Sequence, residues 1–194
     1  DFCLDGPRSF YGSSKLASEM IVQEYVHSYQ LPALINRCGV IAGPWQMGKV
    51  DQGVVMLWVA KHYFQEPLSY NGFGGFGKQV RDLLHIEDLY DLIQRQLCDG
   101  SCWQGEVFHA GGGLKGSVSL AELTAVCQRE TGNAIPIQTQ PITSPVDLRI
   151  FITDCRKAMS RFDWSPTRGV DTIVGDIHRW IVDNEDTVKM ILAD

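Results

Sequence analysis

The run "ALINRCGVI", residues 33–41, constrains this chain more than any other stretch. It is short, apolar and rich in branched residues, and Gly43-Pro44 stops it. Such a run fits a buried strand of a parallel sheet, where both faces are covered. The segment before it, from about Tyr11 to Tyr29, reads as a helix closed by Pro32. Leu16, Met20 and Val22 fall on or near one of its faces. A helix feeding a buried strand is half of a βαβ unit.

The alternation continues along the chain. Residues 51–65 read as a second helix, and "PLSYNGFGGFGKQVRDLLHI" (67–86) as extended chain around a glycine-rich turn. Residues 87–97 form an amphipathic pattern with acids in the first turn, where the helix dipole favours them. Residues 105–110 read as a strand, and Ser119 with Glu122 matches a capping box at the start of another helix. Residues 134–140 and 148–152 are strand-like, and 154–162 read as a short helix. After the break at Trp164-Ser165-Pro166, Val170, Ile173, Val174, Ile177, Trp180 and Ile181 mark a final amphipathic helix. Strands alternating with helices indicate an α/β protein.

Composition removes several function classes. A net charge of −6 with no basic run argues against a nucleic-acid partner. No apolar run approaches the roughly 18 residues of a membrane span. The six cysteines show no paired C-x2-C and no neighbouring His cluster, so no metal site is expected. Reduced thiols in a cytoplasmic protein fit them better. The chain opens on Asp1 with no strand ahead of the first helix, so it is expected to be part of something longer.

The dinucleotide signature G-x-G-x-x-G occurs at Gly72/Gly74/Gly77 and at Gly111/Gly113/Gly116. A working loop needs a strand before it and a helix after it, so that backbone N–H groups face the pyrophosphate. The first match runs into a strand-like segment. The second lacks the acid expected about 20 residues on. Both are read as glycine-rich turns.

Tyr11 and Lys15, four residues apart, share one helix face. A free tyrosine, with a pKa of about 10, is too weak a base at neutral pH. An ammonium beside a phenol favours the phenolate. A phenolate could take a proton from a sugar hydroxyl while hydride leaves for a cofactor. Spacing alone also fits an ordinary solvated helix face.

Context sharpens the reading. "YGSSKLASE", "INRCGVIAGP" and "GKQVRDLLHIEDLYDLI" follow in that order. Together they resemble the extended short-chain dehydrogenase/reductase family of nucleotide-sugar epimerases and dehydratases. "DQG" (51–53), "GKQVRDLLH" (77–85) and "FDWSP" (162–166) are most similar to its CDP-paratose 2-epimerase group. The resemblance implies the C-terminal part of a Rossmann-type NAD-binding fold with a smaller α/β substrate lobe. Residues 1–45, with the strand near 105–110, would be the Rossmann tail, and 46–194 mainly the lobe. It also implies that the strand–glycine loop–helix for NAD, and a substrate-polarising Ser or Thr, precede these residues.

By the same resemblance Tyr11 is the general base and acid, and Lys15 binds the nicotinamide ribose. The backbone of Cys38, Gly39 and Val40 lies near the nicotinamide. Arg81 pairs with the substrate diphosphate, Arg149 lies near the nucleotide, and the loop with Gln46, Asp51 and Gln52 meets the substrate. The implied activity is epimerisation at C2 of a CDP-sugar. Another epimerase, a 4,6-dehydratase or a reductase of the family is the alternative, and a non-catalytic sugar-nucleotide-binding or interaction domain is the alternative of another class. A homodimer through the Tyr11-bearing helix is also implied. Val40, Ala42 and Ser144 depart from the family's common pattern, which leaves the sugar nucleotide open. His85 and His109 are read as structural, and Trp164 and Trp180 as core residues.

Overall fold

The computed structural model of the chain describes residues 9–47 and 53–192. In chain order its first elements are α1 (Phe10–Tyr29), β1 (Ala33–Cys38), β2 (Val40–Ala42), α2 (Val54–Tyr63), β3 (Leu68–Asn71), β4 (Val80–His85) and α3 (Ile86–Cys98). Then come β5 (Gln104–Ala110), β6 (Ser117–Ser119), α4 (Leu120–Thr131), β7 (Ile137–Gln140) and β8 (Ile150–Phe151). Three helices close the chain: α5 (Arg156–Phe162), α6 (Val170–Asp183) and α7 (Glu185–Leu192). β6 and α7 were not expected. One is three residues long, too short to show a period, and the other is only eight residues long, directly after α6.

The run 33–41 is not one strand but two. β1 pairs in parallel with β5, Ile35 opposite Val107 and Cys38 opposite Ala110. At Gly39 the chain leaves that sheet, and β2 pairs in parallel with β4, Val40 opposite Leu83. The space there suits only glycine: a Cβ at residue 39 would lie 2.9 Å from Thr153 Oγ1 and 3.3 Å from both Asp82 carboxylate oxygens. Nor is β1 fully buried. It is half-buried, with Arg37 and Cys38 exposed. One of its edges pairs with β5, and among the described residues no strand pairs the other.

α1 lies over β1 and β5. Ser9 caps it, its hydroxyl accepting the Gly12 N–H at 3.0 Å. Gly12, Leu16, Glu19, Val22 and Val26, spaced three and four apart, are its half-buried positions. Arg37 of β1 donates to both carboxylate oxygens of Glu19, a two-pronged clasp between strand and helix. Met20, expected on the inner face, points outward and is 59% exposed.

β4 is the hub of the second sheet, with β2 and β8 parallel to it and β6 antiparallel. β3 and β7 form a separate parallel pair. One core gathers α2, α4 and α6, with Val55, Met56, Leu123, Ile173 and Ile177 essentially sealed. Thr124 is its polar pin: it accepts from Trp58 Nε1 at 2.9 Å and Tyr70 Oη at 2.8 Å, and donates to the Leu120 carbonyl at 2.8 Å. A second core joins β5, α3 and α5 around Phe108 and Phe162, whose rings meet at 4.8 Å, and includes Trp164. The capping box forms as expected, with the Ser119 N–H donating to Glu122 at 2.8 Å and the Glu122 N–H donating to Ser119 Oγ at 3.2 Å. No helix among the described residues is long and apolar enough to cross a membrane.

Candidate active site

The first turn of α1 brings Tyr11 and Lys15 together. Lys15 Nζ lies 5.4 Å from the centroid of the Tyr11 ring, within cation–π range. Tyr11 is 62% exposed, so its phenol is open to a ligand. The Ser14 hydroxyl donates to the Tyr11 carbonyl at 2.8 Å and tightens this turn. The geometry therefore provides a phenol and an ammonium on one accessible helix face.

At the end of β1 the Gly39 N–H donates to the Ala110 carbonyl at 2.8 Å, which fixes the backbone of Cys38–Val40. Behind it lies Asp82, fully buried. It accepts from Thr153 Oγ1 at 3.1 Å and from the Gly113 N–H at 3.0 Å. The second glycine run wraps this carboxylate: a Cβ at Gly111 would sit 2.3 Å from Asp82 Oδ2, and one at Gly112 would sit 1.9 Å from the Leu83 carbonyl oxygen. These glycines pack backbone against β4. The first glycine run joins β3 to β4 and leads into a strand. Neither run forms a pyrophosphate loop ahead of a helix. Burial pushes the thiol of Cys155, next to Gly111, up to about 11.

The second group of residues surrounds β4. Gln79, just ahead of β4, and Arg81 and Leu83 within it line, with Val54 and Val55 of α2 and Val118 and Ser119 of β6, a cleft of about 170 Å³. Arg81 donates to Asp147 Oδ1 at 2.8 Å and to the Val80 carbonyl at 2.8 Å. It does not pair with its neighbour Asp82. The Arg149 carbonyl accepts the Val80 N–H at 2.8 Å, so Arg149 borders this site through its backbone, and its side chain is exposed. α2 starts at Gly53 with no side-chain cap, leaving its first N–H groups beside the cleft.

Gln46 is turned inward: its Nε2 donates to the Ile41 carbonyl at 3.1 Å, and its Oε1 is buried without a partner. Next to it Trp45, at φ 69°, meets Trp180 with the ring centroids 5.4 Å apart and the planes tilted by 52°. Asp51 and Gln52 lie outside the described residues. His85 is structural, as expected. Its Nδ1 accepts the Glu87 N–H at the start of α3.

Comparison with known proteins decides the family. Residues 4–177 match the family described as GDP-mannose 4,6 dehydratase. The chain belongs to this family. Among curated members it is 28% identical to the CDP-paratose 2-epimerase of Salmonella typhi, over 92% of this chain and 56% of that protein. It is also 28% identical to a dTDP-glucose 4,6-dehydratase of Xanthomonas campestris, over 96% of this chain and 53% of that one. A solved dTDP-glucose 4,6-dehydratase from Bacillus anthracis, in complex with NAD, superposes with a TM-score of 0.79 at 27% identity, covering 98% of this chain and 58% of its own. The chain thus spans about half the length of the curated relatives it matches. The expected α/β, Rossmann-type fold of nucleotide-sugar epimerases and dehydratases is the one observed.

Two residues around this cleft escaped the sequence reading. Asp147 holds Arg81 from 66 residues away, a contact no spacing rule reveals. Gln79 could have been found, since it stands two residues before Arg81 and next to the first residue of β4.

Proposed function

We propose that the protein is an NAD-dependent nucleotide-sugar epimerase acting at C2 of a CDP-sugar. The observation that carries the reading is the Lys15 ammonium held over the exposed Tyr11 ring. NAD, when bound, supplies the hydride acceptor and donor. The residues present fit its nicotinamide end: the Tyr11 phenol and Lys15 ammonium are donors for ribose hydroxyls, and the backbone of Cys38, Gly39 and Val40 is held firmly at the end of β1.

Tyr11 takes the proton of the C2 hydroxyl as the C2–H bond gives up its electron pair with the hydrogen, leaving a 2-keto sugar. The keto sugar turns about its link to the diphosphate, and Tyr11 returns the proton to the oxygen once the opposite face is reduced. Lys15, on the same helix face, binds the nicotinamide ribose. Arg81, freed from Asp147, grips the diphosphate, aided by the uncapped start of α2. Arg149, Gln46, Asp51 and Gln52 border the nucleotide and sugar. In this reading residues 1–45, with 105–110, are the cofactor-side layer, and 46–194 mainly the substrate lobe.

The full protein, loaded with NAD and given CDP-paratose in D2O, should yield the C2 epimer with no deuterium at C2, because the same hydride returns. Tyr11→Phe should lower turnover by about 10³-fold, within the usual range for losing a general acid/base. Equal identity to a dTDP-glucose 4,6-dehydratase favours dehydration as the second reading. A product lacking water and labelled from solvent on carbon would establish that instead.

The outer face of α1 suits a second copy of the chain. Met20, Ile21, Tyr25 and Tyr29 border an open hollow of about 450 Å³ there. Sedimentation of the full protein should show a dimer, and Tyr25→Arg should convert it to monomer.

A further inference from the structure

Gln79 sits on the wall of the Arg81 cleft and is 8% exposed. Its Nε2 donates to the Asn71 carbonyl at 2.9 Å. Its Oε1 is buried and receives no hydrogen bond from the described residues. Turning the amide over would not help, because Oε1 would then face the Asn71 carbonyl, acceptor against acceptor. The acceptor is therefore fixed in place and unsatisfied. Buried polar atoms in native proteins are nearly always paired. The other polar side chains of the cleft are engaged elsewhere: the Ser119 hydroxyl donates to Glu122 at 2.7 Å, and Arg81 to Asp147 and the Val80 carbonyl.

Arg81, two residues on in the chain, lines the same cleft. One wall thus offers a guanidinium for an anion and, two residues before it, an acceptor for an N–H or O–H. A nucleoside diphosphate carries both complements. We propose that Gln79 is the residue that reads the nucleoside: its Oε1 accepts a hydrogen bond from a base N–H or ribose O–H while Arg81 holds the phosphates. In this structure Oε1 is closed to water and Arg81 is bonded to Asp147. The inference rests on the proposed role of Arg81 as the diphosphate anchor and adds a determinant of nucleotide affinity two residues away.

Calorimetric titration of the full protein tests it, with inorganic pyrophosphate, CDP, 2′-deoxy-CDP and N4,N4-dimethyl-CDP as probes. Gln79→Met keeps the length and removes the acceptor. It should weaken CDP about tenfold and leave pyrophosphate within twofold. With the unaltered protein, loss of affinity for the deoxy or the dimethyl compound identifies the ribose or the base as the donor. The inference is overturned if neither analogue binds more weakly than CDP, or if the variant weakens pyrophosphate as much as CDP. If pyrophosphate itself fails to bind the unaltered protein, the role of Arg81 falls first and this inference falls with it.

Discussion

α1 and α6 are both long helices of one chain, and they live in different surroundings. α6 buries Ile173, Val174, Ile177, Trp180 and Ile181 against α2 and α4. α1, six residues longer, has no buried residue, and Met20, Ile21, Tyr25 and Tyr29 are all more than half exposed. Propensity does not separate them, because each forms a regular helix. Partners do. The layer around α6 is closed by its own elements, whereas the layer of α1, β1 and β5 keeps one open helix face and one unpaired strand edge among the described residues. The chemistry proposed for this protein sits on the open layer. Binding sites tend to occupy such less consolidated regions, while the closed region supplies a rigid base.

Five measurements would break or sharpen that contrast. Ile177→Ala, in the closed core, should cost about 3 kcal/mol in denaturant unfolding, the usual loss for a large buried aliphatic side chain. Ser119→Ala removes one half of the capping box of α4 and should cost about 1 kcal/mol.

The third is a pH effect. The His62 Nδ1 lies 2.6 Å from the Trp58 carbonyl and must donate to it, leaving Nε2 buried and unpaired. Burial lowers its pKa below the ordinary 6.5, with the Trp58 carbonyl opposing. Below pH 6.5 the unfolded chain takes up this proton first. The stability contributed by neutral His62 is therefore complete above pH 6.5. It falls as pH drops, levelling off once the folded form is protonated too. His62→Gln should flatten that part of the pH–stability curve. A curve unchanged by the substitution would show that His62 is not so enclosed.

The smallest effect is expected on α1. Ile21→Ala should change the unfolding free energy of the monomer by less than about 0.5 kcal/mol. A loss comparable to that of Ile177→Ala, in a dilute monomer, would mean that α1 is already covered and that the two layers are alike. Thiol reactivity reports on the same contrast: exposed Cys98 should react before Cys127, whose pKa burial pushes up to about 12.

The sequence by itself determined what rests on local pattern. The helix ahead of residues 33–41, the amphipathic α3 and α6, the capping box at Ser119 and the Tyr11–Lys15 face follow from periods and spacings within a few residues. Motif order was enough to point to the family. Tertiary structure decided what depends on neighbours far along the chain. It split the run 33–41 at Gly39, because Thr153 and Asp82 leave no room for a side chain there. It turned Met20 outward, since the packed face of α1 is set by the sheet beneath it. It bonded Arg81 to Asp147 rather than to adjacent Asp82, because successive strand residues point to opposite faces. And it left the Gln79 acceptor unpaired beside Arg81, a property of the walls of a cleft that β4, β6 and α2 build together.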